Sequence, residues 1–204
     1  MNCIRTSFVV LALIGLTACA SQPATDQYYS LVLAADSVTP TASAEKAETL
    51  IIVGPIQLAR YLSQPGLPLQ TGTSQIQTAN HHFWAEPLDE AISKVLVGDI
   101  SQRVDNVAVD RVAGRWTGDG DCQVRVEFDK FHPTENSQVV ATGRYWIHES
   151  AGARVTKKEF EIVQTLSENG YAHAVHKLRA SLAILASEIV GQMSASAVCL
   201  SRTD

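Results

Sequence analysis

Basic charge is scarce in this 204-residue chain: 16 Lys and Arg stand against 21 Asp and Glu, for a formal net charge of −5. Nucleic-acid binding needs clustered Lys and Arg against phosphate, and a polybasic grip on anionic lipid needs the same residues, so both are disfavoured. Long apolar runs are missing as well. The longest starts near Phe8 and ends at Ala18, well short of the roughly 20 apolar residues that a spanning helix requires. There is no G-x-S-x-G elbow and no H-E-x-x-H, and the glycine-rich stretch from Gly114 to Gly120 lacks the lysine and spacing of a phosphate cradle. The chain is therefore read as having no catalytic residues, no metal site and no cofactor.

Six histidines test that reading. His81 and His82 are adjacent in an expected strand, where they point to opposite faces and cannot chelate one ion together. His173 and His176 lie three apart on an expected helix but lack a companion carboxylate at metal-site spacing. Surface or helix-flank histidines are expected. Asp119 and Asp121 lack the twelve-position ligand register of a calcium loop and read as a solvated turn.

The first residues carry an address. Arg5, the apolar middle and the closing Leu16-Thr17-Ala18-Cys19 form the tripartite pattern of a bacterial lipoprotein signal. Residues 1–18 are expected to be removed and Cys19 to carry lipid, as the first residue of the mature chain. Each buried CH2 of an acyl chain contributes about 0.8 kcal/mol, so two or more chains make attachment effectively permanent. Ala20 follows Cys19, where the inner-membrane retention signal has aspartate, so the expected location is the outer membrane, facing the periplasm. Residues 19–27 form a polar tether, and its eight residues from Ala20 to Gln27 reach about 28 Å at most.

Beyond the leader, 15 basic and 21 acidic side chains remain, and the residues from 28 to 204 are enough for one domain with a sizeable core. Cys3 leaves with the leader and Cys19 is taken by lipid, which leaves Cys122 and Cys199 in an oxidising compartment. Parity and compartment favour one disulfide between them, closing 77 positions with a chain-entropy stabilisation of about 4 kcal/mol. Two unrelated cysteines, one of them buried, are the alternative.

Tyr28 to Leu33 reads as a first strand, Ser37 to Glu48 as an exposed loop, and Leu50 to Leu58 as a second strand running through Gly54-Pro55. Pro65-Gly66-Leu67-Pro68 reads as a turn, with Ser74 to His82 as the return strand of a hairpin, and Pro55 and Pro68 as edge or bend positions. Leu88, Ile92, Val95, Leu96, Ile100 and Val104 share one helical face behind Pro87. Val107 to Val112 is a short strand. Three antiparallel strands follow, around Val124 to Phe128, Val139 to His148 and Val155 to Leu166. The last segment, from about Gly170, is a helix with Val175, Leu178, Leu182, Leu185, Ile189 and Met193 on one face. The expected class is α+β: an antiparallel or mixed sheet in one domain, with two helices packed on one face. Tyr28, Tyr29, Phe83 and Trp84 sit at element boundaries, where they either anchor the helix in the core or face a partner.

Tyr28-Tyr29-Ser30-Leu31, then Ile52-Val53-Gly54-Pro55-Ile56 leading to Ala59-Arg60-Tyr61-Leu62, then Trp84-Ala85-Glu86-Pro87-Leu88, carry a resemblance from Tyr28 to the last helix. The chain resembles the ABC-type transport auxiliary lipoproteins, the PqiC/YmbA-like group. It departs from them where Ser63-Gln64-Pro65-Gly66-Leu67-Pro68 follows Tyr61-Leu62. The resemblance implies a non-catalytic, self-associating adaptor that works with an MCE-domain protein of an ABC-type lipid transport system. The alternative is a periplasmic carrier that holds a lipid tail in an apolar cleft between sheet and helices.

Overall fold

The computed structural model describes residues 24–32, 49–111, 120–149, 155–196 and 199. The leader with Cys19, the Ser37–Glu48 loop, most of the glycine-rich loop with Asp119, and the link from Ser150 to Arg154 lie outside the described residues. Strands are β1 (Gln27–Tyr29), β2 (Thr49–Leu58), β3 (Gly66–Gln70), β4 (Ile76–Trp84), β5 (Val107–Arg111), β6 (Cys122–Thr134), β7 (Gln138–Glu149) and β8 (Val155–Thr165). Helices are α1 (Leu88–Ser101) and α2 (Tyr171–Ser196), with a 3-10 turn over Arg60–Ser63.

All eight strands join one mixed sheet that branches at β6. One edge of β6 is paired along its length with β7, and β7 with β8, both antiparallel. On the other edge, the first half of β6 pairs parallel with β2, which pairs with β5, while its end meets β3 at Thr134 opposite Gln70. β4 and then β1 extend the β3 branch.

Strand alternation sends Cys122, Val124, Val126 and Phe128 to one face of β6, where all four are buried. An irregularity between Phe128 and Lys130 accommodates one extra residue, so Phe131 returns to the same buried face after Asp129 is thrown outward. Gly143 lies opposite Phe128, and a Cβ there would fall inside the Glu127 carbonyl, so the close approach requires glycine. Phe128 then packs edge-on against both Phe131 and Phe160, each 5.3 Å away between ring centres.

Both helices cover this face, α1 over β2 and β5, and α2 over β6, β7 and β8. Leu88, Ile92, Val95, Leu96 and Ile100 of α1 are buried, as are all six stripe residues of α2. Asp89 and Glu90 place negative charge in the first turn of α1, where the helix dipole favours it. Polar contacts fix the helices: Arg179 donates both terminal nitrogens to Asp99, each bond 2.8 Å, and Gln164 of β8 donates to the Lys177 carbonyl at 2.9 Å. Beyond α2, Cys199 is bonded to Cys122 at the start of β6, with Cα atoms 5.6 Å apart.

The mixed sheet with two helices on one face is the expected α+β class, but the second quarter of the chain departs from expectation. Pro65 to Pro68 is not a turn: Gly66–Gln70 is β3, and the reversal falls at residues 71–75, where Thr71 N–H bonds to the Gln75 carbonyl at 3.0 Å and Gly72 takes φ +92°. The hairpin partner of β4 is consequently β3, while β2 pairs with β6 and β5. Both prolines sit at register irregularities, Pro55 between Val53 and Ile56 and Pro68 just after Gly66. The first strand is shorter than expected, ending at Tyr29.

His132 also departs from the expected surface setting: it is 1% exposed, under the Tyr61 ring, with Nδ1 3.0 Å from the Pro133 carbonyl. Burial holds its pKa below the ordinary 6.5, opposed by the Pro133 hydrogen bond and aided by Lys130. As pH falls through the ordinary range, the unfolded chain takes up a proton that folded His132 refuses, so stability declines with acidification. Urea midpoints at about pH 7.5 and about pH 5.5 should therefore differ, and His132→Gln should reduce the difference. Asp99→Ala removes the buried carboxylate that accepts from both terminal nitrogens of Arg179 and should cost about 3–5 kcal/mol in urea unfolding. Arg103→Ala, which removes a more exposed partner 3.9 Å from Asp99, should cost less than about 1 kcal/mol.

Candidate partner-docking site

Tyr28, Tyr29, Phe83 and Trp84, remote in sequence, meet because β1 pairs parallel with β4 in the register Tyr28 to Phe83 and Tyr29 to Trp84. The period of two then separates them by face. Trp84 is 7% exposed and belongs to the core, the helix-anchoring one of the two settings expected for it; its backbone N–H donates to the Pro65 carbonyl at 2.8 Å. Its indole Nε1 is buried with no acceptor among the described residues. Tyr28 is 66% exposed and lies 5.6 Å from the half-buried Phe83 ring, so these two form the outward aromatic pair.

Tyr29 ties the edge strand down. Its hydroxyl donates to Gln27 Oε1 at 2.6 Å and, with that proton committed, accepts from His82 Nδ1 at 2.8 Å. The His82 ring packs 4.2 Å from Tyr171 at the start of α2. On the opposite face His81 Nδ1 contacts Asp26 Oδ1 at 2.9 Å, so the two faces of β4 hold β1 and the residue just before it. Desolvation raises the Tyr29 and Tyr171 pKa values, the latter also through Tyr29, so both phenols stay protonated at neutral pH. The His82–Tyr171 and His81–Asp26 contacts had no local sequence signal, since each joins residues far apart in the chain.

Chemically this edge offers apolar contact and open backbone groups, with no reactive group among them. Two aromatic faces are offered beside a three-residue edge strand whose outer backbone groups have no sheet neighbour among the described residues. Among those residues no three His, Cys, Asp or Glu side chains are grouped to hold a metal. His173 and His176 have ring centres 6.4 Å apart, His173 Nε2 facing Ser167 Oγ at 3.2 Å. Asp121 accepts the Leu50 N–H at 2.8 Å, pinning the start of β2. No described helix is long and apolar enough to cross a membrane.

Fold and site together define a small α+β domain whose aromatic edge lies where the chain leaves toward its N-terminus. The family model for the ABC-type transport auxiliary lipoprotein component matches residues 29–190, and the chain belongs to that family. It is 25% identical over 170 residues to the intermembrane transport lipoprotein PqiC of Escherichia coli strain K12 and to PqiC of Shigella flexneri, covering 83% of this chain and 87% of each relative. Its fold matches the crystal structure of an uncharacterized protein with a TM-score of 0.70 at 23% identity, over 83% of this chain and 99% of the other. Protein XCC0632 from Xanthomonas campestris matches with a TM-score of 0.61 at 17% identity, over 82% and 94% of the two chains.

The burial contrast separates two substitutions. Tyr28→Ala should change unfolding free energy by less than about 0.5 kcal/mol, since the ring is mostly in solvent. Trp84→Ala should cost about 3–5 kcal/mol, both read from urea denaturation of the purified domain.

Proposed function

We propose that this protein is a non-catalytic adaptor, acylated at Cys19 and held on the periplasmic side of the outer membrane, that serves an MCE-type ABC lipid transport system. In this reading residues 1–18 are removed and residues 19–27 form the tether. Residues 28–204 are the auxiliary domain, which self-associates and docks an MCE-domain protein. The observation that carries the docking role is the outward pair formed by Tyr28 of the edge strand β1 and Phe83 of its neighbour β4, at the root of the tether. Aromatic side chains at such positions supply large contact area at low entropic cost. Tethering raises the local concentration of the encounter, so a modest interface suffices. Membership of an auxiliary lipoprotein family, and the name intermembrane transport lipoprotein borne by its relatives, support the transport setting.

The alternative, a carrier that holds a lipid tail in an apolar cleft between sheet and helices, has less support. The helix-facing side of the sheet is filled by buried side chains, and the cleft at the N-terminal end of α2 measures about 230 Å³. Small-molecule sites usually occupy about 300–1,000 Å³.

Labelled palmitate should be incorporated into the wild-type chain and not into Cys19→Ser, and the variant should leave the membrane fraction. With acylation intact, Tyr28→Ala combined with Phe83→Ala should reduce co-purification of the MCE-domain protein several-fold. Undiminished co-purification would remove the aromatic edge from the interface, and a stoichiometric extractable lipid would favour the carrier instead.

A further inference from the structure

We propose that the cleft at the N-terminal end of α2 seats one of the acyl chains carried on Cys19, an inference that rests on the acylation proposed above. The cleft, about 230 Å³, opens between the end of β3, the β6–β7 turn and the first turn of α2. Its apolar lining comes from Leu69, Pro133, Leu166, Tyr171 and Ala174. The volume suits part of a single hydrocarbon chain and is too small for a whole diacyl lipid.

Charge selects against other ligands. No Lys or Arg lines the cleft, and Glu135 contributes a carboxylate, so a phosphate headgroup or free fatty carboxylate meets repulsion without compensation. Thr134 also lines it, and its Oγ1 is buried without a hydrogen-bond partner among the described residues. An unmet buried hydroxyl is costly, and the carbonyl of an ester-linked acyl chain is a neutral acceptor for it.

The path of the chain identifies the source of that lipid. β1 runs parallel to β4, so the segment preceding Gln27 heads toward the β3–β4 hairpin end of the sheet, where β6 also ends and α2 begins. Tyr29 of β1 bonds to His82, His82 packs on Tyr171, and Tyr171 lines the cleft. The strand that the tether leads into is thus two side-chain contacts from the cleft. Seven peptide steps separate Asp26 from Cys19, a reach of about 25 Å when fully extended, so the lipid on Cys19 can return to the domain that bears it. Ile76, exposed at the start of β4, puts a further apolar side chain at this end. With one chain seated and the others in the bilayer, the hairpin end faces the membrane and the domain acquires a defined orientation.

The test uses the full chain in cell membranes, grown with alkyne-tagged palmitate and carrying a benzophenone amino acid at Leu166, at Asn169, or at the exposed control position Ile184 of α2. After irradiation and digestion, mass spectrometry should find the tagged Cys19 lipopeptide fused to the peptides containing 166 and 169, several-fold above its fusion at 184. Acylated Cys19 with no excess at 166 and 169 would overturn the seating while leaving the anchor intact, as would fusion to bulk phospholipid or another protein in its place. An untagged Cys19 peptide would remove the anchor itself, and the seating with it.

Discussion

The sheet depends on β6 supporting different neighbours along one edge while its other edge remains continuously paired with β7. Its thirteen residues serve β2 first and β3 last, so the chain's early strands can form two branches without a second sheet. The irregularity at Asp129 makes this compatible with one hydrophobic core. It restores Phe131 to the buried face, and Gly143 admits the approach that the extra residue forces. Helix placement follows from the same constraint, because α1 covers the β2–β5 branch and α2 covers the β6–β7–β8 meander.

Polar groups within this core specify alignment more than they add stability. The Arg179–Asp99 fork sets α1 against α2, and Gln164 sets α2 against β8, each at a position where sliding by one turn would leave a buried group unmet. The Cys122–Cys199 link closes the far end, joining the residue beyond α2 to the first residue of β6. The molecule consequently has a closed end near the disulfide and an opposite end where the hairpin, the start of α2 and the tether root converge. That polarity is compatible with the N-terminal anchoring and edge docking proposed above.

Much of the secondary structure was legible because its periodicity is strong. Both helices and the three-strand meander repeat apolar residues at spacings that one local conformation satisfies. The region from Ser63 to Gln75 was not legible, because Pro65-Gly66-Leu67-Pro68 has turn chemistry yet lies between β4 and the end of β6, whose pairing holds Gly66–Gln70 extended. The burial of His132 was not legible for a related reason: its ring packs near that of Tyr61, seventy-one positions away. At the candidate site the sequence marked four aromatics but could not divide them, since the sorting of Tyr28 and Phe83 outward from Trp84 inward follows from the β1–β4 register.

Local order thus set the elements, the leader pattern ending at Cys19, and the family resemblance, because each is written in residues close together or at fixed spacing. Tertiary structure alone decided the branching at β6, the outward orientation of Tyr28 and Phe83, the burial of His132 and the position of the cleft at the start of α2. These depend on pairings between distant strands, and a strand's own residues do not name its neighbour.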